Sequence, residues 1–76
     1  MNKRRRASLS EAIQLLAKAS ALVDRASDGE QDALDNLPEN LQYSEKAETM
    51  EGAVELLNDA VEKIDGAKDL IESAMR

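Results

Sequence analysis

Residues Ala47–Met75, AETMEGAVELLNDAVEKIDGAKDLIESAM, decide the fold. Ala47, Val54, Val61 and Met75 recur at one place of a seven-residue repeat, with Lys68 the exception, and Met50, Leu57, Ile64 and Ile71 recur at a second. Steps that alternate between three and four residues describe a helix that packs along one stripe. Ala53, Ala60, Ala67 and Ala74 form a row beside that stripe, and Leu56 and Leu70 widen it. Glu51-Gly52-Ala53 returns fourteen residues later as Asp65-Gly66-Ala67, and Leu56-Leu57 returns as Leu70-Ile71. Fourteen is two heptads, the periodicity of a coiled coil rather than a solenoid.

A second alanine row, Ala12, Ala19, Ala26 and Ala33, precedes the first. Paired antiparallel (12 with 74, 19 with 67, 26 with 60, 33 with 53), each couple totals 86, which centres the pairing on Tyr43, the only tyrosine. Small side chains at heptad spacing let two helix backbones approach closely. The expected fold is all-α, an antiparallel helical hairpin with these eight alanines as the helix–helix seam. The expected boundaries are a basic N-terminal arm at 1–7 and a hairpin at 8–76, with a helix at about 8–36, a turn at about 37–43 and a helix at about 44–75.

Local signals set those limits. Ser8-Leu9-Ser10-Glu11 has the form of a capping box. Ala12, Leu15, Leu16, Ala19, Leu22, Val23 and Ala26 then obey helical spacing, and Ala33, Leu34 and Leu37 keep the phase. The helix therefore continues through Gly29, at a cost of roughly 1 kcal/mol against alanine. Asn36-Leu37-Pro38-Glu39 looks like a second capped start, and Ser44 a cap for the last helix. That helix has no proline and, at about 1.5 Å per residue, a length of roughly 45 Å.

The chain has 76 residues, one aromatic side chain, no cysteine and no histidine, so disulfides and the usual zinc ligands are excluded. A domain this small buries only about 60% of its unfolded surface, and association is the remaining means of stabilisation. The expectation is a homodimer or higher oligomer that completes a four-helix bundle. Leu16, Val23, Leu57 and Ile64 are the expected apolar residues left exposed by a lone hairpin. The apolar runs are too short to span a membrane. Met1–Arg6 resembles the charged start of a signal peptide, but Glu11, Gln14 and Lys18 interrupt the stretch where an apolar core would lie, and a cytoplasmic, unprocessed chain is expected.

Charge is unevenly divided. Lys3, Arg4, Arg5 and Arg6 open the chain, and the six remaining basic residues face sixteen acidic ones, net −10 from residue 7 onward. An acidic body repels phosphates, which argues against duplex DNA binding by the hairpin. Glu48, Glu51, Glu55, Glu62, Asp65, Asp69 and Glu72 line the expected solvent face, where hydrated carboxylates have no cleft to make them reactive. No catalytic residue, metal site or cofactor is expected. Asp28, Glu30, Asp32 and Glu39 imitate four places of a calcium loop, but the sixth place, which needs glycine, holds Ala33. Glu30 and Lys68 fall on apolar faces, where each marks either a helix end at which the stripe opens to solvent, an ion pair to the other helix, or a polar specificity element.

Asp28–Lys46, DGEQDALDNLPENLQYSEK, together with MNKRRR and Glu48-Thr49-Met50-Glu51, resembles a group of small acidic proteins encoded in Firmicute genomes, prophages and mobile elements. The likeness covers most of the chain and is most specific at Asp35-Asn36-Leu37-Pro38-Glu39 and Leu41-Gln42. Asn40 stands where the group often has serine, and Lys46 where it has arginine. Ser44–Ile64 is also similar to the hairpin helix of phage proteins that sequester cyclic nucleotides from host immune signalling. The resemblance implies a setting and carries over no residue roles. The resulting expectation is a non-enzymatic anti-defence inhibitor whose acidic surface (Glu48, Glu55, Glu62) and Tyr43 meet a host defence protein. The alternatives are an oligomeric sponge holding a phosphate-rich nucleotide through Arg4, Arg5 and Arg6, and a purely structural oligomerisation element.

Overall fold

The computed structural model describes residues 1–76. Helix α1 spans Lys3–Asp35, a single 3-10 turn covers Glu39–Leu41, and helix α2 spans Glu45–Ala74. The two helices lie side by side in a rod 59 × 14 × 13 Å. No helix is long and apolar enough to cross a membrane.

The basic segment is not an arm. Asn2 caps α1, its side-chain oxygen accepting from the Arg5 amide at 2.8 Å, so the helix starts five residues before Ser8. Lysine and arginine are good helix formers, and an asparagine cap is enough to begin the first turn at Lys3. Ser8 lies inside the helix and donates to the Arg4 carbonyl at 3.2 Å. At the other end Asn36 closes α1 instead of opening a new turn. Its amide and its side-chain nitrogen both donate to the Asp32 carbonyl, at 3.1 and 2.8 Å. Pro38 cannot continue the helix, and the Leu41 amide bonds back to its carbonyl at 2.8 Å. Ser44 then caps α2, accepting from the Ala47 amide at 3.3 Å and donating to the Leu41 carbonyl at 2.6 Å.

The seam of α2 is the pair of rows read from its heptads. Ala47, Met50, Val54, Leu57, Val61, Ile64, Lys68, Ile71 and Met75 are all buried or half-buried. The seam of α1 is different from the expected one. It runs through Leu9, Ile13, Leu16, Ser20, Val23, Ser27, Glu30 and Leu34, and ends on Leu37 in the bend. These steps also alternate four and three, which turns α1 by roughly a quarter turn from its most apolar side.

Two serines occupy the middle of that seam. Ser20 donates to Asp65 Oδ1 at 3.0 Å and Ser27 to Asn58 Oδ1 at 2.8 Å, and both serines are buried. A buried hydroxyl needs such a partner, and these two are supplied by the edge of the facing helix. The bridged pairs, 20 with 65 and 27 with 58, each total 85, one residue from the alanine pairing. The alanine rows flank the seam without filling it. Ala12, Ala19, Ala53, Ala60 and Ala67 are half-buried, while Ala26, Ala33 and Ala74 are exposed. The least exposed residue is Ala47, at 1%.

Leu16, Val23, Leu57 and Ile64 are half-buried seam residues, not the exposed set. Leu16, Val23 and Leu57 each stand second in an apolar doublet, whereas Ile64 follows Lys63. The first residue of each doublet, at Leu15, Leu22 and Leu56, faces out, and Leu70 does the same before Ile71. Only four of the 76 residues are buried, Ser20, Ser27, Ala47 and Val54, so the hairpin has a seam but hardly a core.

Stability measurements test this packing. Ala47→Leu should overpack the least exposed position and cost about 1–3 kcal/mol in a urea or thermal melt. Asp59→Ala, on the exposed outer face, should stay within about 0.5 kcal/mol of the parent. A neutral Ala47→Leu would contradict that burial. Gly66 lies inside α2, and a methyl group there meets nothing within 4 Å. Gly66→Ala should therefore stabilise the hairpin by about 0.5–1 kcal/mol, through backbone entropy alone.

Candidate interaction surface

Two broad faces of the rod remain once the seam is closed. On the side from which Asp65 and Asn58 reach the serines, α2 presents Glu51, Asn58, Asp65 and Glu72 next to the seam. Glu48, Glu55, Glu62 and Asp69 form the next row outward, and all eight residues are exposed. Successive members of a row stand about 10 Å apart along the helix. Asp24, Asp28 and Asp35 of α1 extend the same face toward the bend, as the helical spacing requires. No lysine or arginine interrupts the two α2 rows.

The chain's single ion pair lies at the inner edge of this face. Lys68 Nζ is 3.9 Å from Asp65 Oδ1, the oxygen that also accepts from Ser20. Lys68 thus has its carboxylate neighbour within its own helix, three residues away, and not on the other helix. Glu30 has no ion pair and remains half-buried in the seam, in the half nearer the bend. The residues that imitate a calcium loop lie along α1 and in the bend, so they do not wrap around a point, and no three acidic side chains gather as a metal site.

Tyr43 projects from the bend and is 96% exposed. It borders the one surface recess, an open hollow lined by Gln31, Leu34, Asp35, Gln42, Tyr43 and Glu51. The recess is continuous with the acidic face at Glu51, so Tyr43 and the Glu48 end of the row form one contiguous surface. The hollow contains no basic group and encloses nothing.

Arg4, Arg5 and Arg6 sit at the opposite end of the rod, in the first turns of α1. Arg6 Nη1 donates to the Met75 carbonyl, at the end of α2. Cations are unfavourable beside the N-terminus of their own helix, but here they adjoin the C-terminus of the other, where positive charge is stabilising. Arg6 therefore acts as a clasp for the open end. Held in a helix, the cluster is not free to swing across to a neighbouring subunit.

Heptad spacing alone makes the Glu48, Glu55 and Glu62 row legible. The outward leucines are the residues that sequence reasoning misses, and the doublets Leu15-Leu16, Leu22-Val23, Leu56-Leu57 and Leu70-Ile71 are the signal that marks them. No protein-family model, curated protein or solved structure matches the chain.

The clasp can be tested separately from any binding. Arg6→Ala should speed amide exchange in the last turn of α2 and lower stability by a few tenths to about 1 kcal/mol. Arg4→Ala, which lacks the contact, should leave that turn protected.

Proposed function

We propose that the chain is a non-enzymatic binding protein that places its acidic helical ridge in a basic nucleic-acid channel of a host protein. The density of charge on one uninterrupted face supports this reading. Glu48, Glu51, Glu55, Glu62, Asp65, Asp69 and Glu72 fall within 25 residues of one straight helix. At about 1.5 Å per residue this is roughly one negative charge per 5 Å, against about 3.4 Å for one strand of a DNA duplex. A channel built for phosphates meets a comparable line of negative charge on a rigid rod. Tyr43, at the tip of the same face, supplies an aromatic contact where the charge ends.

The resemblance to proteins of prophages and mobile elements supports an anti-defence setting, in which a basic host nuclease is the natural target. Four exposed leucines support self-association, completing a four-helix bundle. The nucleotide-sponge reading fares less well, because Arg6 is engaged at the Met75 carbonyl and the neighbouring arginines are fixed in a helix.

The experiment is protection of a labelled DNA duplex in host cell extract. The wild-type protein should slow degradation, with an effect that weakens as salt rises. Replacing Glu48, Glu55 and Glu62 together with lysine should remove the protection. Replacing Arg4, Arg5 and Arg6 with alanine should keep it. Protection that survives the glutamate reversal would transfer recognition to another surface. A cyclic nucleotide that raises the melting temperature of the wild type, but not of the arginine variant, would favour the sponge.

A further inference from the structure

We infer that the face bearing the alanine rows is covered by a second copy of this chain, lying antiparallel so that the bend of each hairpin meets the open end of the other. This rests on the self-association proposed above and adds to it a face and a direction.

The face is marked by what it exposes. Leu15, Leu22, Leu56 and Leu70 are 61%, 54%, 71% and 74% exposed. Each immediately precedes a seam residue, so all four are rotated from the seam in the same sense. Heptad geometry places them, with the alanine rows between them, opposite the side on which Asp65 and Asn58 reach the serines. The hairpin therefore has an apolar side and an acidic side, back to back. The rod is 59 Å long and 14 Å wide, so one side offers roughly 800 Å², the area that a partner contributes to a standard stable interface.

Charge selects the direction. Residues 28–51, around the bend, carry eight acidic side chains against Lys46 alone. Residues 1–11 and 68–76, at the open end, carry six basic side chains against Glu11, Asp69 and Glu72. A parallel stack of two hairpins would bring like ends together over the full length of the contact. Asp28, Asp35, Glu48 and Glu51 lie on the far, acidic face, as do Asp69 and Glu72. The charges that select the antiparallel stack are therefore Glu30, Asp32, Glu39 and Glu45 at the bend and Lys3, Arg4, Arg5 and Arg6 at the open end, coupled over the roughly 8–10 Å that salt allows.

The leucines are spaced for the same symmetry. Leu15 and Leu22 are centred beside Ala19, the midpoint of α1. Leu56 and Leu70 are centred on Lys63, and the hydrogen-bonded register puts the two centres within about 5 Å along the rod. A two-fold axis through them lays Leu15 on the partner's Leu22 and Leu56 on the partner's Leu70. Lys63 then meets its own copy, its stem on the apolar surface and its ammonium turned out to water. Both acidic ridges stay outside, on opposite flanks of the bundle, and the dimer presents its charged surface twice.

The chain has no cysteine, so single introduced thiols are clean probes. Spin labels at Asn40→Cys, in the bend, and Asn2→Cys, at the open end, report direction, and sedimentation reports mass. The expected results are a mass of two chains, an Asn40–Asn40 separation close to the 59 Å length of the rod, and a short separation in a mixture of the two labelled proteins. Leu22→Glu combined with Leu56→Glu should return the mass to one chain while helicity is kept. A dimer with a short Asn40–Asn40 distance would overturn the antiparallel direction and leave self-association standing. A dimer that survives both glutamates would overturn the choice of face. A single-chain mass for the wild type would overturn both inference and association, without touching the acidic-ridge reading, which the DNA protection assay decides independently.

Discussion

Two helices alone can offer each other only one stripe apiece, and everything else in this molecule depends on that limit. A stripe between two rods excludes water at its centre line and nowhere else, so residues at its edges remain half wet. Here even the centre line is thin, since two of its four buried residues are serines. Their hydroxyls bond to Asp65 and Asn58 rather than to water, and these bonds fix the longitudinal register of the hairpin more sharply than apolar contacts could. A slip of three or four residues would take both hydroxyls away from these acceptors, each unpaired buried group costing about 1–3 kcal/mol.

The charges at the ends make sense only in the hairpin. Four cations at the start of α1 oppose that helix's own dipole, and Asp32 and Asp35 oppose it again at its end. As an isolated helix, α1 would be poorly designed at both termini. Folded back, the cations lie beside the C-terminus of α2, where Arg6 reaches the Met75 carbonyl. At the bend, α2 opens on Glu45 and Glu48, whose charges suit the positive end of its own dipole. The end of α2 thus corrects the electrostatic fault at the start of α1, and a single continuous helix would restore that fault.

The same dependence of one helix on the other divides what is legible in the sequence from what is not. The seam of α2 can be read directly, because its two heptad rows are apolar almost throughout and no competing stripe is stronger. The bend is legible from Pro38 and Ser44, whose backbone chemistry is local. The seam of α1 is not, because its most apolar side is not the side that packs. Ser20 and Ser27 look like surface residues until Asp65 and Asn58 are placed opposite them, and that is long-range information. The start of α1 is hidden for a related reason. A run of basic residues suggests a solvated arm, whereas its stability as helix depends on α2 ending beside it. Among the functional candidates, the Glu48, Glu55 and Glu62 row needs only periodicity, while the engagement of Arg6 needs the fold.

The two free faces are not equivalent as surfaces for a foreign partner. Carboxylates on a convex helix lose little by remaining in water, so the acidic face can stay exposed indefinitely and be used when a basic surface arrives. Exposed leucines on a 14 Å-wide rod have no such neutral state, since each gains on the order of 1.5–3 kcal/mol only when covered. The apolar face and the acidic face are on opposite sides of the same two helices. Covering the first therefore does not consume the second. In the proposed dimer the rod would be stiffer, and a stiff line of charge would meet a basic channel with less ordering cost than a pair of helices that can still part.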